Sequence, residues 1–250
     1  MSKLDIYSDE ELSLQPIPQA ITGIYGSPKI GKSTFASMFP KPIFLWTERG
    51  ASGLRVPKLP KDGPSSSWLG LLKCIGDLLD SEHDRETAVL DTLDVAVSLC
   101  TKHILTTDYN NDTKQYMAFF KGPSQMREEF KRLLRGLELL RDKRGMAVVV
   151  ISHDGLQKGA NALGDDFKKF GGSIDPGCWN LVRDWVDQLG HCCMEYKAIE
   201  GKAHQLGKDR WIVFKGSPAR DAGCRAGYEM PDKIKLAYSE YEKHMKEGDQ

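Results

Sequence analysis

Short apolar runs recur along the chain, each followed by a break and then a segment with helical spacing. Ile21–Tyr25, Pro42–Trp46, Thr87–Leu90 and Met146–Ser152 are brief and rich in β-branched or aromatic residues, which predicts four buried strands. Between and after them, Ser33–Phe39, Trp68–Leu79, Leu93–Ile104 and Trp179–Leu189 carry apolar residues at helical spacing. Gln125–Lys143 is the clearest amphipathic helix, with Met126, Phe130, Leu133, Leu134, Leu137 and Leu140 on one face. Gly190–Tyr196 and Arg210–Lys215 predict a fifth and sixth strand paired as a hairpin, and a charged helix follows Asp232. Residues 51–68, 106–124 and 155–177 are polar or Gly-rich and predict irregular segments, the second with room for one turn of helix. The pattern divides into a polar lead-in over 1–18, a core over 19–240 and a charged tail over 241–250. Apolar strands alternating with helices argue for a mostly parallel sheet covered on both faces, with the ligand at the strands' carboxyl ends.

The first of those strand ends carries the most specific chemistry. Gly26-Ser27-Pro28-Lys29-Ile30-Gly31-Lys32-Ser33-Thr34 fits the phosphate-binding loop pattern, placed between a strand and a helix as that motif requires. Its glycines let consecutive N–H groups turn toward an anion. Lys32 is the residue to reach the β- and γ-phosphates, and the Ser33 hydroxyl is the first candidate ligand for Mg²⁺.

Hydrolysis also needs an acid in the metal shell and a group to orient water. Asp91 closes the third strand and is the candidate acid; the alternative is a cap on the next helix, a role also open to Thr92 and Asp94. Thr92 stands where a catalytic glutamate commonly follows that acid. Glu48, at the end of the second strand, is instead the general-base candidate, against a surface pair with Arg49. His153, after the fourth strand, is a candidate sensor of the γ-phosphate, against a structural polar role shared with Ser152 and Asp154.

Composition narrows the partners. The chain has 35 basic and 35 acidic residues, so no global field draws it to nucleic acid and any such surface is local. Six cysteines show no paired metal-ligand spacing, which predicts reduced, buried thiols. The N-terminus lacks the apolar core of a signal peptide, and Ala147–Ile151 is too short to span a membrane, so a soluble cytoplasmic protein is expected.

The set GSPKIGKST, FLWTERG, TAVLDTLD and VVVISHD resembles the phage-encoded RecA-like P-loop ATPases of the single-strand annealing and recombination type, over residues 19–240. The resemblance implies an α/β RecA-like core with strand order 5-1-4-3-2 and ATP with Mg²⁺ as cofactors. It also implies single-stranded DNA as partner, a ring or filament of identical subunits, and the cytoplasm of a bacterial host. The late stretch GSPARDAGCRAGYEMPDKI is similar to that family's basic segment; Arg225 matches its arginine, while Gly223 stands near its expected lysine. Lys215, Arg220 and Arg225 are thus candidates for a basic finger acting on a neighbour's ATP. The family's two DNA loops would fall on 106–124, with Lys114, Tyr116, Phe119, Phe120 and Lys121, and on 155–173, with Lys158, Lys168, Lys169 and Phe170. Basic groups there meet phosphates and an aromatic stacks on bases, although Asp165 and Asp166 oppose this.

Two other functions compete. One is a nucleotide-dependent switch or helicase loader docking a replication or recombination protein, which charge neutrality favours. The other is a small-molecule kinase, for which Arg127, Arg132 and Arg135 on one helix are the only arginine cluster between Asp91 and Gly145.

Overall fold

The computed structural model describes residues 18–159, 167–199 and 202–248. The expected lead-in up to residue 17, and Asp165 and Asp166, lie outside the described residues.

The central sheet begins with β1 (Ile21–Gly26), followed by α1 (Lys32–Ala36), β2 (Pro42–Trp46) and a short β3 (Lys58–Leu59). Helix α2 (Trp68–Asp80) leads to β4 (Thr87–Asp91) and α3 (Leu93–Tyr109). Helices α4 (Thr113–Met117) and α5 (Lys121–Arg144) precede β5 (Ala147–Gly159) and β6 (Phe167–Gly172). Helix α6 (Pro176–Trp185), β7 (Gln188–Ile199), β8 (Lys202–Val213), β9 (Gly223–Cys224), β10 (Lys233–Lys235) and α7 (Tyr238–Gly248) complete the chain. The sheet runs β10-β8-β7-β1-β5-β4-β2-β3. Counting only β1, β2, β4, β5 and β7, the five strands that run parallel along the main sheet apart from the short β3, this is the expected order 5-1-4-3-2. The strands from β7 through β3 are parallel and β8 joins β7 antiparallel.

Burial on both faces explains the unbroken apolar runs. Side chains alternate between two cores: Ile21, Tyr25, Ala88, Leu90, Val148 and Val150 pack with α2, α3, α5 and α6, whereas Ile24, Val89, Val149 and Ile151 pack with α1 and Ile234. Tyr241 of α7 is buried in the second core, packed against Phe35 and Phe39, so the charged C-terminal helix is anchored by an aromatic stripe.

Two segments differ from the expected irregular chain. Residues 106–124 are largely helical, because α3 continues to Tyr109 and Asp112 caps α4 by accepting from Lys114 and Gln115 N–H. The second is a β-hairpin. β5 runs on past the sheet and pairs antiparallel with β6, matching Leu156 with Phe170 and Lys158 with Lys168. Gly172 permits this: a Cβ there would lie 2.3 Å from the Trp179 ring.

Candidate active site

Strand register brings the predicted residues to one edge. Trp46 is level with Asp91, Asp91 with Ile151, and Gly26 with His153. Glu48 and His153 therefore both stand two residues beyond the level of Asp91. Thr47 locks the two strand ends together. Its N–H donates to the Asp91 carbonyl at 2.8 Å, its hydroxyl donates to the Thr92 carbonyl at 3.0 Å, and the Thr92 N–H donates to that hydroxyl at 2.9 Å. Glu48 Oε1 is thereby held 3.7 Å from His153 Nε2, with both side chains about one-third exposed.

The loop Gly26–Thr34 wraps the mouth of the same cleft. A Cβ at Gly26 would fall 2.2 Å from the Cys192 carbonyl oxygen, and Gly31 has φ 115°, so both turns require glycine. Lys32 is buried, and its ammonium donates to the Gly26 and Ser27 carbonyls at 2.6 and 3.0 Å. Burial lowers its pKa, partly offset by Asp154, Asp91 and Asp94. The cleft, roughly 390 Å³, is lined by Lys32, Ser33, Glu48, Asp91, His153 and Arg210, among others.

Asp91 is almost fully buried, and burial raises its carboxyl pKa against an opposing hydrogen bond from Ser33. One of its oxygens, Oδ2, and the Thr92 hydroxyl have no hydrogen-bond partner in the protein. A buried carboxylate oxygen aimed into a polar cleft beside a serine hydroxyl is a donor set that suits a hard cation keeping most of its waters. Asp94 is one turn further on. Its Oδ2 accepts the His153 backbone N–H at 3.0 Å, so it tethers α3 to β5.

The four hairpin candidates divide by strand alternation. Lys158, Lys168 and Phe170 lie on the exposed face with Leu156. Lys169 faces the other way and donates to Asp221 Oδ1 at 2.6 Å. Asp221 also accepts from Trp179 Nε1, and its carbonyl and that of Phe170 both accept from the Tyr25 hydroxyl. Phe170 stacks on His191, which stacks on Tyr25 with ring centroids 4.7 Å apart. Of the other candidate segment, Tyr116 is buried, while Phe119 and Phe120 are exposed with left-handed backbone.

The late basic residues do not converge. Lys215 pairs with Asp232 and Arg220 reaches Cys193 Sγ at 3.9 Å. Arg225 is at the opposite, amino end of the sheet. It donates to Asp187 Oδ1 at 3.1 Å, and Asp187 Oδ2 accepts the Ile21 N–H at the start of β1. Sequence reasoning missed Arg210, which comes to the cleft only through the antiparallel pairing of β8 with β7 opposite Met194. All six cysteines are free, and no group of three or more His, Cys, Asp or Glu able to hold a metal occurs among the described residues.

The mostly parallel sheet covered by helices on both faces, with the loop between its first strand and first helix, defines an α/β P-loop ATPase. A family model described as an AAA domain matches residues 19–226, and the chain belongs to that family. No curated protein matches the chain in sequence. Among solved structures, the RadB recombinase is 15% identical over 78% of this chain and 80% of that chain, with a TM-score of 0.45. No helix among the described residues is long and apolar enough to cross a membrane.

Proposed function

We propose that this chain is an ATPase of the single-strand annealing and recombination type, which binds single-stranded DNA under the control of ATP. The observation that carries the reading is the continuity of β5. One strand holds His153 at the cleft and, five residues on, Lys158 on the exposed face of the hairpin with Lys168 and Phe170. A change at His153 is thus delivered along a paired strand to a basic, aromatic surface of the kind that tracks a nucleic-acid backbone and stacks its bases.

In this reading Lys32 and the loop N–H groups bind the β- and γ-phosphates. Ser33 and Asp91 would hold Mg²⁺, which neutralises charge on the phosphates when bound. Glu48 takes a proton from water as the oxygen bonds to the γ-phosphorus and the bond to the β-phosphate oxygen breaks, leaving ADP and phosphate. His153, beside Glu48 and tied through its N–H to Asp94, reports the γ-phosphate to the hairpin. Identical subunits assemble on the strand, with Lys215, Arg220 and Arg225 the candidates to reach a neighbour's site.

Fluorescence anisotropy of a labelled oligonucleotide, with ADP or with a slowly hydrolysed ATP analogue, tests this. Tighter binding with the ATP analogue is expected. No binding in either state favours instead the loader that acts through a protein partner.

A further inference from the structure

The two ends of one helix carry features that match. Just before α5, Phe119 and Phe120 are 100% and 70% exposed, and Met117, shortly before them in sequence, is exposed too. Both phenylalanines hold left-handed backbone, with φ 52° and 55°, which bulky residues rarely adopt. The segment is anchored: Tyr116 is buried, packed edge-on against Tyr109, and a Cβ at Gly122 would lie 2.3 Å from the Tyr116 ring. Strained, fixed backbone thus presents an apolar knob to water. Lys114 and Lys121 flank it in sequence, both exposed, with no acid between them.

Helix α5 has 24 residues, so its ends are about 36 Å apart. Gly145, its C-cap, lines a pocket of roughly 500 Å³ at the amino end of the sheet, with Thr87 and Ala147, the first residues of β4 and β5. Phe39, Tyr228 and Tyr238 give this pocket aromatic walls. Glu86, Glu229 and Glu242 give it negative charge; no lysine or arginine lines it, and His244 is its one basic side chain. Glu86 also pairs with Lys41 at 2.6 Å. The knob is therefore apolar and basic, and the pocket is aromatic and acidic.

We infer that the Phe119–Phe120 knob of one copy docks in the Tyr228–Tyr238 pocket of the next, with Lys114 and Lys121 facing its carboxylates. This names the contact surfaces of the assembly of identical subunits proposed above and rests on that reading. A knob about 36 Å from the pocket along one helix cannot fill the pocket of its own chain. Charge also opposes the chain's own residues 1–17 as occupant, since they hold one lysine and four acids. Unlike surfaces that meet head to tail repeat from copy to copy, closing as a ring or continuing as a filament. Aromatic anchors seated in a pocket supply most of the affinity of such contacts, and opposed charges fix their orientation. Phe119 and Phe120, candidates for stacking on bases, are then committed to a subunit contact.

Photocrosslinking tests the contact directly. The full chain carrying Phe119→p-benzoylphenylalanine is mixed with isotopically heavy parent chain, a slowly hydrolysed ATP analogue and single-stranded DNA, then irradiated. Crosslinks from position 119 to heavy peptides within Gly227–Met230 or Tyr238–Met245 are expected. Sedimentation velocity of the same mixture separates the failures. A larger species whose crosslinks fall on other peptides or on DNA overturns this contact and leaves the assembly standing; a monomer with no crosslink between copies overturns both. Phe119→Asn supplies a second readout, because asparagine accepts left-handed backbone and the replaced ring packs on nothing in its own chain. The melting temperature is expected to stay at the parent value, while the concentration for half-assembly rises roughly tenfold or more, the loss of one buried phenyl ring. An unchanged concentration overturns the contact.

Discussion

Glu48 Oε1 and His153 Nε2 face each other at 3.7 Å from the ends of strands that are not neighbours, with β4 between them. The pair exists because register and the Thr47–Thr92 clamp set both residues at one height. It couples the residue proposed to activate water to the residue proposed to sense the γ-phosphate.

Glu48→Gln keeps the shape and removes the base. ATP affinity is expected to stay near the parent value while kcat falls by about 10²–10⁴-fold, the usual contribution of general-base catalysis. Single-turnover hydrolysis alongside equilibrium binding checks this, and normal turnover contradicts the assignment.

Asp91→Asn separates a metal ligand from a structural cap. Burial penalises the charged carboxylate, so the neutral amide leaves the melting temperature unchanged or higher while hydrolysis is lost and the Mg²⁺ requirement shifts upward. A cap would instead show a lower melting temperature with activity retained.

On the hairpin, Lys158→Glu and Lys168→Glu are expected to weaken single-stranded DNA binding and flatten its salt dependence, each lost phosphate contact lowering the log–log slope by about 0.7. Lys169→Met acts differently, since it removes the nearer of two cations from a buried carboxylate, Asp221, and leaves only Arg183 at 3.8 Å. It lowers thermal stability and leaves the salt slope alone. Titrations at several salt concentrations distinguish the two faces.

Arg225→Ala tests the basic-finger candidate that is paired with a buried carboxylate at the amino end of the sheet. Loss of its pair with buried Asp187 lowers the melting temperature, with hydrolysis per folded molecule unchanged. Lost hydrolysis at an unchanged melting temperature would restore Arg225 to a neighbour's site.

His191 predicts the acid limb of stability. Burial depresses its pKa from 6.5 to about 4, so the ring stays neutral in the fold while the unfolded chain takes up a proton. The folded-state advantage is complete above pH 6.5 and is lost on acidification toward pH 4, by up to about 1.4 kcal/mol per pH unit. His191→Phe retains the stack between Tyr25 and Phe170 and is expected to flatten this limb in denaturant titrations from pH 7 to pH 4.5.

Much of the frame was legible in the chain because buried parallel strands are short and apolar from end to end, and because each chemical residue terminates one of them. Gly26–Thr34, Glu48, Asp91 and His153 were found that way and are neighbours in space. The hairpin was hidden by its glycines, which read as loop signals; Gly171 and Gly172 are there for the close approach of Trp179. Arg210 carried no local signal, since nothing in RWIVFK indicates which strand it will face. Arg225 could not be placed from the sequence, because local motif similarity does not report which end of a sheet a side chain occupies. Its partner in the fold is Asp187, 38 residues away in sequence.

The most direct test of the central claim is the steady-state ATPase rate of the intact chain with and without single-stranded DNA. The account predicts a several-fold stimulation by single-stranded DNA that is lost when Lys158 and Lys168 are reversed in charge. An ATPase rate that single-stranded DNA leaves unchanged would contradict it.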